Sequence, residues 1–222
     1  MSMELRGAPE KSGSGRYSSP LRAQRAADTR DRIAKAAREL FATHGFGGTT
    51  IARIAQRAGV SVQTVYATYG SKGAIVSALT TQFEADADAA GWRARIEHST
   101  EPAMMLRTFA QWTRALLSSS RETITAVQAA ATDPAIAQLR DVGDQHRRAA
   151  LKKLVERIEV AKGLRADVSA ERAVDRAWML TGIELYLAAV DGCGWSDLDY
   201  EEWLSEALQQ QLLTANALSN RT

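Results

Sequence analysis

The sequence predicts an all-α protein: a small N-terminal three-helix unit followed by a larger helical body. Three observations carry this reading. The 222 residues include only four prolines and 6% aromatics, and they are rich in Ala, Leu, Arg and Glu, which favour helix over strand. Apolar residues recur at three- and four-residue spacing along most of the chain. Segment starts carry Ser, Thr or Asp and segment ends carry Gly, which are the signals of capped helices. No strand pattern and no internal repeat is evident.

Residues 1–24 are rich in Gly, Ser and Arg and are expected to form a flexible arm, either a solvated tail or a basic arm that touches DNA phosphates or a minor groove. The first helix is expected near Asp28, with Ile33, Ala36, Ala37, Leu40 and Phe41 on one apolar stripe, and "HGFGG" (44–48) ends it. Thr49 and Thr50 can cap a second helix through Ala58, stopped by Gly59. Ser61 caps a short third helix over Val62–Thr68. Ser71 caps a fourth that continues toward Gly91. Beyond it the pattern predicts helices from Pro102 to Ser119, from Arg121 to Ala131, from the "DPAI" cap at Asp133 to Ala161 with Gly143 as a kink, and from Ser169 to Val190. A last helix opens at "SDLD" (196–199) and runs to Thr214. The domain limits read this way are 1–24 for the arm, 25–75 for the three-helix unit and 76–222 for the body.

Charge divides the chain at the same place. Residues 1–75 hold 12 Lys and Arg against 5 Asp and Glu, whereas residues 76–222 hold 16 against 21. A basic head on an acidic body points to a polyanionic partner for the head alone. Other classes find little support. No uncharged apolar run reaches the ~18 residues of a membrane span, and the N-terminus lacks the apolar core of a signal peptide. The single cysteine, Cys193, cannot close an internal disulfide, so a cytoplasmic protein is expected. His44, His98 and His146 lie far apart without neighbouring ligands, so neither a metal nor a cofactor is expected.

The short third helix poses the main question, because isolated helices need roughly 12–15 residues to persist. With the second helix it forms a helix-turn-helix pair joined by "GVS" (59–61), in which the second member enters the major groove. Val65 and Tyr69 can pack inward against Ile51, Ile54 and Phe41. Gln63, Thr64 and Tyr66 then face out with groups that reach base edges or phosphates. Lys72 is expected to reach a phosphate together with the free N–H groups at its helix start. The DNA-contacting set is therefore Thr49, Thr50, Ser61, Val62, Gln63, Thr64, Tyr66, Tyr69 and Lys72.

The run "TTIARIAQRAGVSVQTVYATYGSKGAIV" (49–76), preceded by "AARELFATHGF" (36–46), resembles the TetR/AcrR family of bacterial transcriptional regulators. The matching positions are Thr50, Ile54, Ala55, Ala58-Gly59-Val60-Ser61, Thr64, Tyr66 and Lys72. Tyr69 stands where that family usually has Phe, and Gly73 where a helix former such as Glu is common. The C-terminal "GWSDLDYEEWLSEALQQQLL", with "ELYLAAV" before it, is similar to the last helices of many actinobacterial-type members. The resemblance implies a homodimeric, ligand-responsive regulator, generally a repressor. Its two heads bind a palindromic operator in double-stranded DNA, and a small-molecule effector in the body changes operator affinity.

In the body, Phe109, Trp112, Gln128, Trp178 and Tyr186 are candidate ligand contacts, since small-molecule sites mix aromatic area with a few amide and hydroxyl groups. Stripes on the last two helices suggest a four-helix dimer interface: Trp178, Thr181 and Leu185 on one, and Trp203, Leu204, Leu208, Gln211 and Leu212 on the other. Two other classes fit the sequence less well. A helical enzyme would need a positioned acid–base pair, nucleophile elbow or phosphate loop, and none is visible. A DNA-architectural protein needs little but Lys and Arg, against which the outward Gln63 and Thr64 argue.

Overall fold

The computed structural model describes residues 19–128 and 134–219. The order is α1 (Ser19–Gly48), α2 (Ile51–Ala58), α3 (Val62–Tyr69), α4 (Lys72–Asp86), α5 (Ala89–His98), α6 (Pro102–Gln128), α7 (Pro134–Val160), α8 (Ala170–Leu180), α9 (Ile183–Leu187), a π-helical turn over Ala188–Gly192, α10 (Asp197–Leu212) and α11 (Ala215–Ser219). Among the described residues no strand forms, and one isolated antiparallel bridge joins Leu164 to Leu213. No helix among the described residues is long and apolar enough to cross a membrane.

Several boundaries differ from the sequence pattern. α1 begins at Ser19 rather than Asp28, so residues 19–24 of the expected arm are helical; residues 1–18 lie outside the described residues. Pro20 suits a first turn, and the following Leu, Arg, Ala and Gln are strong helix formers. Gln24 also donates to Asp28 one turn on. The fourth segment breaks at Ala87–Asp88, where Asp88 takes a left-handed φ of 50° and caps α5 by accepting from Gly91 N. No break occurs near Ser119. The Ser119 and Ser120 hydroxyls donate to Leu116 O within an unbroken α6, a local bond that a helix accommodates. Helix α7 passes Gly143 without a non-helical residue; the cap at Asp133 and the end at Ala131 lie outside the described residues. Helix α8 ends at Leu180, earlier than expected, and Gly182, with extended backbone at ψ 146°, starts α9.

Two apolar cores result. The first joins Ile33, Ala37 and Phe41 of α1 to Ile54 and Ala55 of α2, Val65 of α3, and Ile75, Val76, Leu79 and Phe83 of α4. It also takes in Ile136 of α7, with Leu116 and Leu139 packed against it. The expected boundary after Ile75 therefore cuts through a core that α4 carries into the body. The second core joins Leu106, Phe109 and Ala110 of α6, Leu151, Leu154 and Ile158 of α7, Ala173 and Ala177 of α8, and Tyr200, Leu204, Leu208 and Leu212 of α10.

This second core takes in part of the expected dimer stripe. Leu204, Leu208 and Leu212 are each 0% exposed and Thr181 is 3% exposed within one chain. Helix α10 lies antiparallel to α6, fixed by an Arg114–Glu201 ion pair at 2.9 Å and by Ser118 donating to Asp197 at 2.6 Å. The stripe is wide because it fills the core beneath α6 and α8. Leu204→Ala is therefore expected to lower stability by about 2–5 kcal/mol in denaturant unfolding, and Leu204→Glu to abolish the cooperative transition rather than yield a folded monomer. A folded, monomeric Leu204→Glu variant would put this side chain at an interface instead.

Candidate nucleic-acid interface

The geometry of the head starts from the ends of its short helices. Helix α2 is capped by Thr50, whose side chain accepts from Arg53 N, and ends on Gly59 at φ 66°, the left-handed geometry that favours glycine. Helix α3 is capped by Ser61, which accepts from Thr64 N at 3.0 Å. These bonds satisfy N–H groups that an eight-residue helix would otherwise leave open. Val65, 1% exposed, anchors α3 to the head core, and burying a side chain of this size contributes about 1.5–3 kcal/mol.

With Val65 inside, the opposite face of α3 points out. Gln63 is exposed, and Val62 and Tyr66 are 42% and 53% exposed. Ala67, which sequence reasoning passed over, is exposed one turn beyond Gln63. This face combines an amide, a phenol and small apolar contacts, a set able to read base edges. Thr64 is half-buried and shares a 2.8 Å hydrogen bond with the Ser61 hydroxyl, so both hydroxyls serve the cap. Thr50 is exposed at the start of α2.

Three members of the expected set face inward. Thr49 is 0% exposed, and its hydroxyl donates to Leu40 O at 3.0 Å and Gly45 O at 2.8 Å. It closes the kink at Gly45, where φ is 68°. Tyr69 is half-buried and its hydroxyl donates to Arg30 O at 3.1 Å. Burial, offset in part by Arg30 and reinforced by Asp31, holds its phenol above the usual pKa. Lys72, expected on a phosphate, instead donates from Nζ to Phe46 O at 2.8 Å and Thr49 O at 2.9 Å. Its ammonium also lies 4.0 Å from the centre of the Phe46 ring. The pull is physical: carbonyls at a helix C-terminus attract a cation, whereas the N-terminus of its own helix repels one.

A cation that sequence reasoning missed sits beside the start of α2. Arg53 is exposed, donates from Nη1 to Gly48 O at 3.2 Å, and places Nη2 3.4 Å from His44 Nε2. The available signal was a positive residue in a helix first turn, where the dipole disfavours it unless an anion is near. Arg57 is paired with Glu39 at 2.6 Å.

The candidate ligand residues of the body occupy varied settings. Phe109 is 4% exposed and packs on Trp112 with ring centres 5.5 Å apart. Tyr186 is 1% exposed, donates to Asp197 at 2.6 Å and meets Tyr200 edge-on at 5.1 Å. Trp178 lies under Arg147 and Arg148, 4.5 and 5.2 Å from its ring centre. Gln128 donates to Glu184 at 3.1 Å. The indole nitrogens of Trp112 and Trp178 and the Tyr200 hydroxyl are buried without a hydrogen-bond partner among the described residues. A separate cleft of about 90 Å³ opens between α4 and α6, lined by Val76, Thr80, Phe83, Leu116, Ser120, Thr123 and Ile124. None of the five expected residues lines it.

Comparison with known proteins agrees with this reading of the head. Residues 33–79 match the family described as bacterial regulatory proteins, tetR family. No curated protein matches the chain. Solved structures share its fold at low identity. SmeT, solved in complex with triclosan, is 17% identical with a TM-score of 0.71, over 85% of this chain and 93% of that one. NalD of Pseudomonas aeruginosa, the secondary repressor of the MexAB-OprM multidrug efflux pump, is 20% identical with a TM-score of 0.66, over 86% and 99%. The fatty acid degradation regulator FadR of Bacillus halodurans is 15% identical with a TM-score of 0.67, over 82% and 94%. Residues 33–79 thus match the helix-turn-helix segment of the tetR family, and the chain around them shares the all-helical fold of these solved regulators.

Proposed function

We propose that the protein is a homodimeric repressor that reads a palindromic operator through the outer face of α3 and loses or gains affinity when a small molecule occupies the body. The carrying observation is the division of α3 into a buried Val65 side and an exposed side of Val62, Gln63 and Tyr66. Thr50, Ser61 and Thr64 would contribute caps and backbone donors beside it. As a DNA-bound regulator the protein would work in the cytoplasm.

Ligand control is supported by two features. Trp112 and Trp178 hold buried N–H groups with no partner among the described residues, and an unsatisfied buried donor costs about 1–3 kcal/mol until something accepts from it. SmeT, of the same fold, is seen with triclosan, and NalD is a repressor. Phe109, Gln128 and Tyr186 would be further ligand contacts. Linkage requires that such a ligand and DNA alter each other's affinity by one factor. Equal ligand affinity in calorimetric titrations with and without operator would remove ligand control.

The dimer would use what α8, α9 and α10 leave outside: Met179, Leu185 and Leu198 are 60%, 38% and 68% exposed, and Gln211 is exposed. The partly buried Trp178 and Trp203 would support this surface from beneath. Replacing Met179 and Leu185 together with Glu is expected to give a folded monomer in sedimentation equilibrium, and retention of the dimer would move the interface elsewhere.

The DNA face itself is tested by Gln63→Ala. An amide that reads adenine is worth about 1–3 kcal/mol of discrimination. Binding to a set of single-base variants of the preferred site should lose preference at one position per half-site. An unchanged preference at every position would show that α3 reads bases through other residues.

A further inference from the structure

The link between α3 and α4 reads "YGSKG" (69–73), with Gly70 at φ 76° and a second glycine inside the first turn of α4. Glycines on both sides give this joint more conformational freedom than any other pairing would. Lys72 sits between them. Its ammonium has three N–H donors; two go to the Phe46 and Thr49 carbonyls, and the Phe46 ring covers a further side. That leaves a phosphate only the third donor, in competition with the Phe46 ring. The carbonyls belong to the α1–α2 corner, which is itself closed by the Thr49 hydroxyl on Leu40 O and Gly45 O and by Arg53 on Gly48 O. Lys72 thus ties the first residue of α4 to the corner that orients the helix-turn-helix.

We propose that Lys72 is a positioning residue, a cross-brace that locks the glycine-flanked joint so that α4 and the helix-turn-helix turn as one body, and that it is not a phosphate anchor. The proposal deepens the DNA-binding reading above and rests on it for its DNA readouts. Its consequence is mechanical. Any tilt of α4 against α6 and α7 reaches α3 undiminished, because the apolar core and the brace hold both ends of the first turn. Without the brace the joint swivels, and the spacing between the two α3 helices of a dimer is no longer fixed.

The test compares the full-length wild type with Lys72→Met, which keeps the stem over Phe46, and Lys72→Arg, which keeps the charge. All binding is measured well below the melting temperature of each variant. Without DNA, amide exchange at 46–50 and 70–76 in Lys72→Met should rise about tenfold or more, with the body unchanged. Unchanged exchange there overturns the brace whatever the protein binds. On palindromic DNA, Lys72→Met should lose about tenfold in affinity while keeping the wild-type dependence on salt, since no phosphate contact is removed. Its discrimination against half-sites moved by one base pair should shrink, a change that mere loss of stability does not produce. Lys72→Arg should not restore that discrimination. A salt slope reduced by about 1 per subunit, with spacing discrimination intact and Lys72→Arg behaving as wild type, would make Lys72 the phosphate anchor and overturn the proposal. A wild type that prefers no palindrome would defeat the DNA-binding reading instead, and the exchange measurement would still decide the brace.

Discussion

Helix α3 has eight residues, too few to remain helical in water by itself, and the head is organised around that constraint. Ser61 holds its first turn, Gly59 lets the chain reverse ahead of it, and Val65 commits one side to a core shared by α1, α2 and α4. Only then does the other side become a fixed surface rather than a fluctuating one. A reading helix needs this order of construction, because base discrimination depends on side chains held in register with the groove.

The same constraint explains where the polar groups of the head go. The kinked end of α1 and the turn into α2 offer carbonyls at Leu40, Gly45, Phe46, Gly48 and Thr49, and each is met by a side chain: the Thr49 hydroxyl, the Arg53 guanidinium or the Lys72 ammonium. A corner satisfied in this way has few alternative arrangements. Phe83, Leu116, Ile136 and Leu139 then continue the head core into α6 and α7. On the proposal that a ligand moves the body, that movement would meet a stiff unit. The cleft between α4 and α6 lies on the wall where such movement would begin.

Much of this was legible in the sequence, for reasons that are local. Caps at Thr50, Ser61, Ser71, Ser169 and Ser196 are one-residue signals with one-residue consequences, and the structure forms each of them. The apolar stripe of α1 and the inward Val65 follow from helical spacing. What the pattern could not carry is the choice between two partners for one group. Lys72 is equally a phosphate ligand and a carbonyl ligand until the α1–α2 corner is folded beside it. Tyr69 can point its hydroxyl to DNA or to Arg30 O, and the stripe of Leu204, Leu208 and Leu212 fits a neighbouring chain as well as α6. In each case a contact across a long stretch of sequence decides, and spacing along one helix holds no record of it.

The central claim is that the outer face of α3 reads sequence in two copies at a fixed separation. Selection of bound duplexes from a random pool, using the full-length protein at moderate salt, tests it most directly. The account predicts a two-fold symmetric site whose half-site centres lie about 34–36 Å apart or a multiple of that. A pool that stays random while binding remains strong would contradict it, and would make the head a binder of phosphate alone.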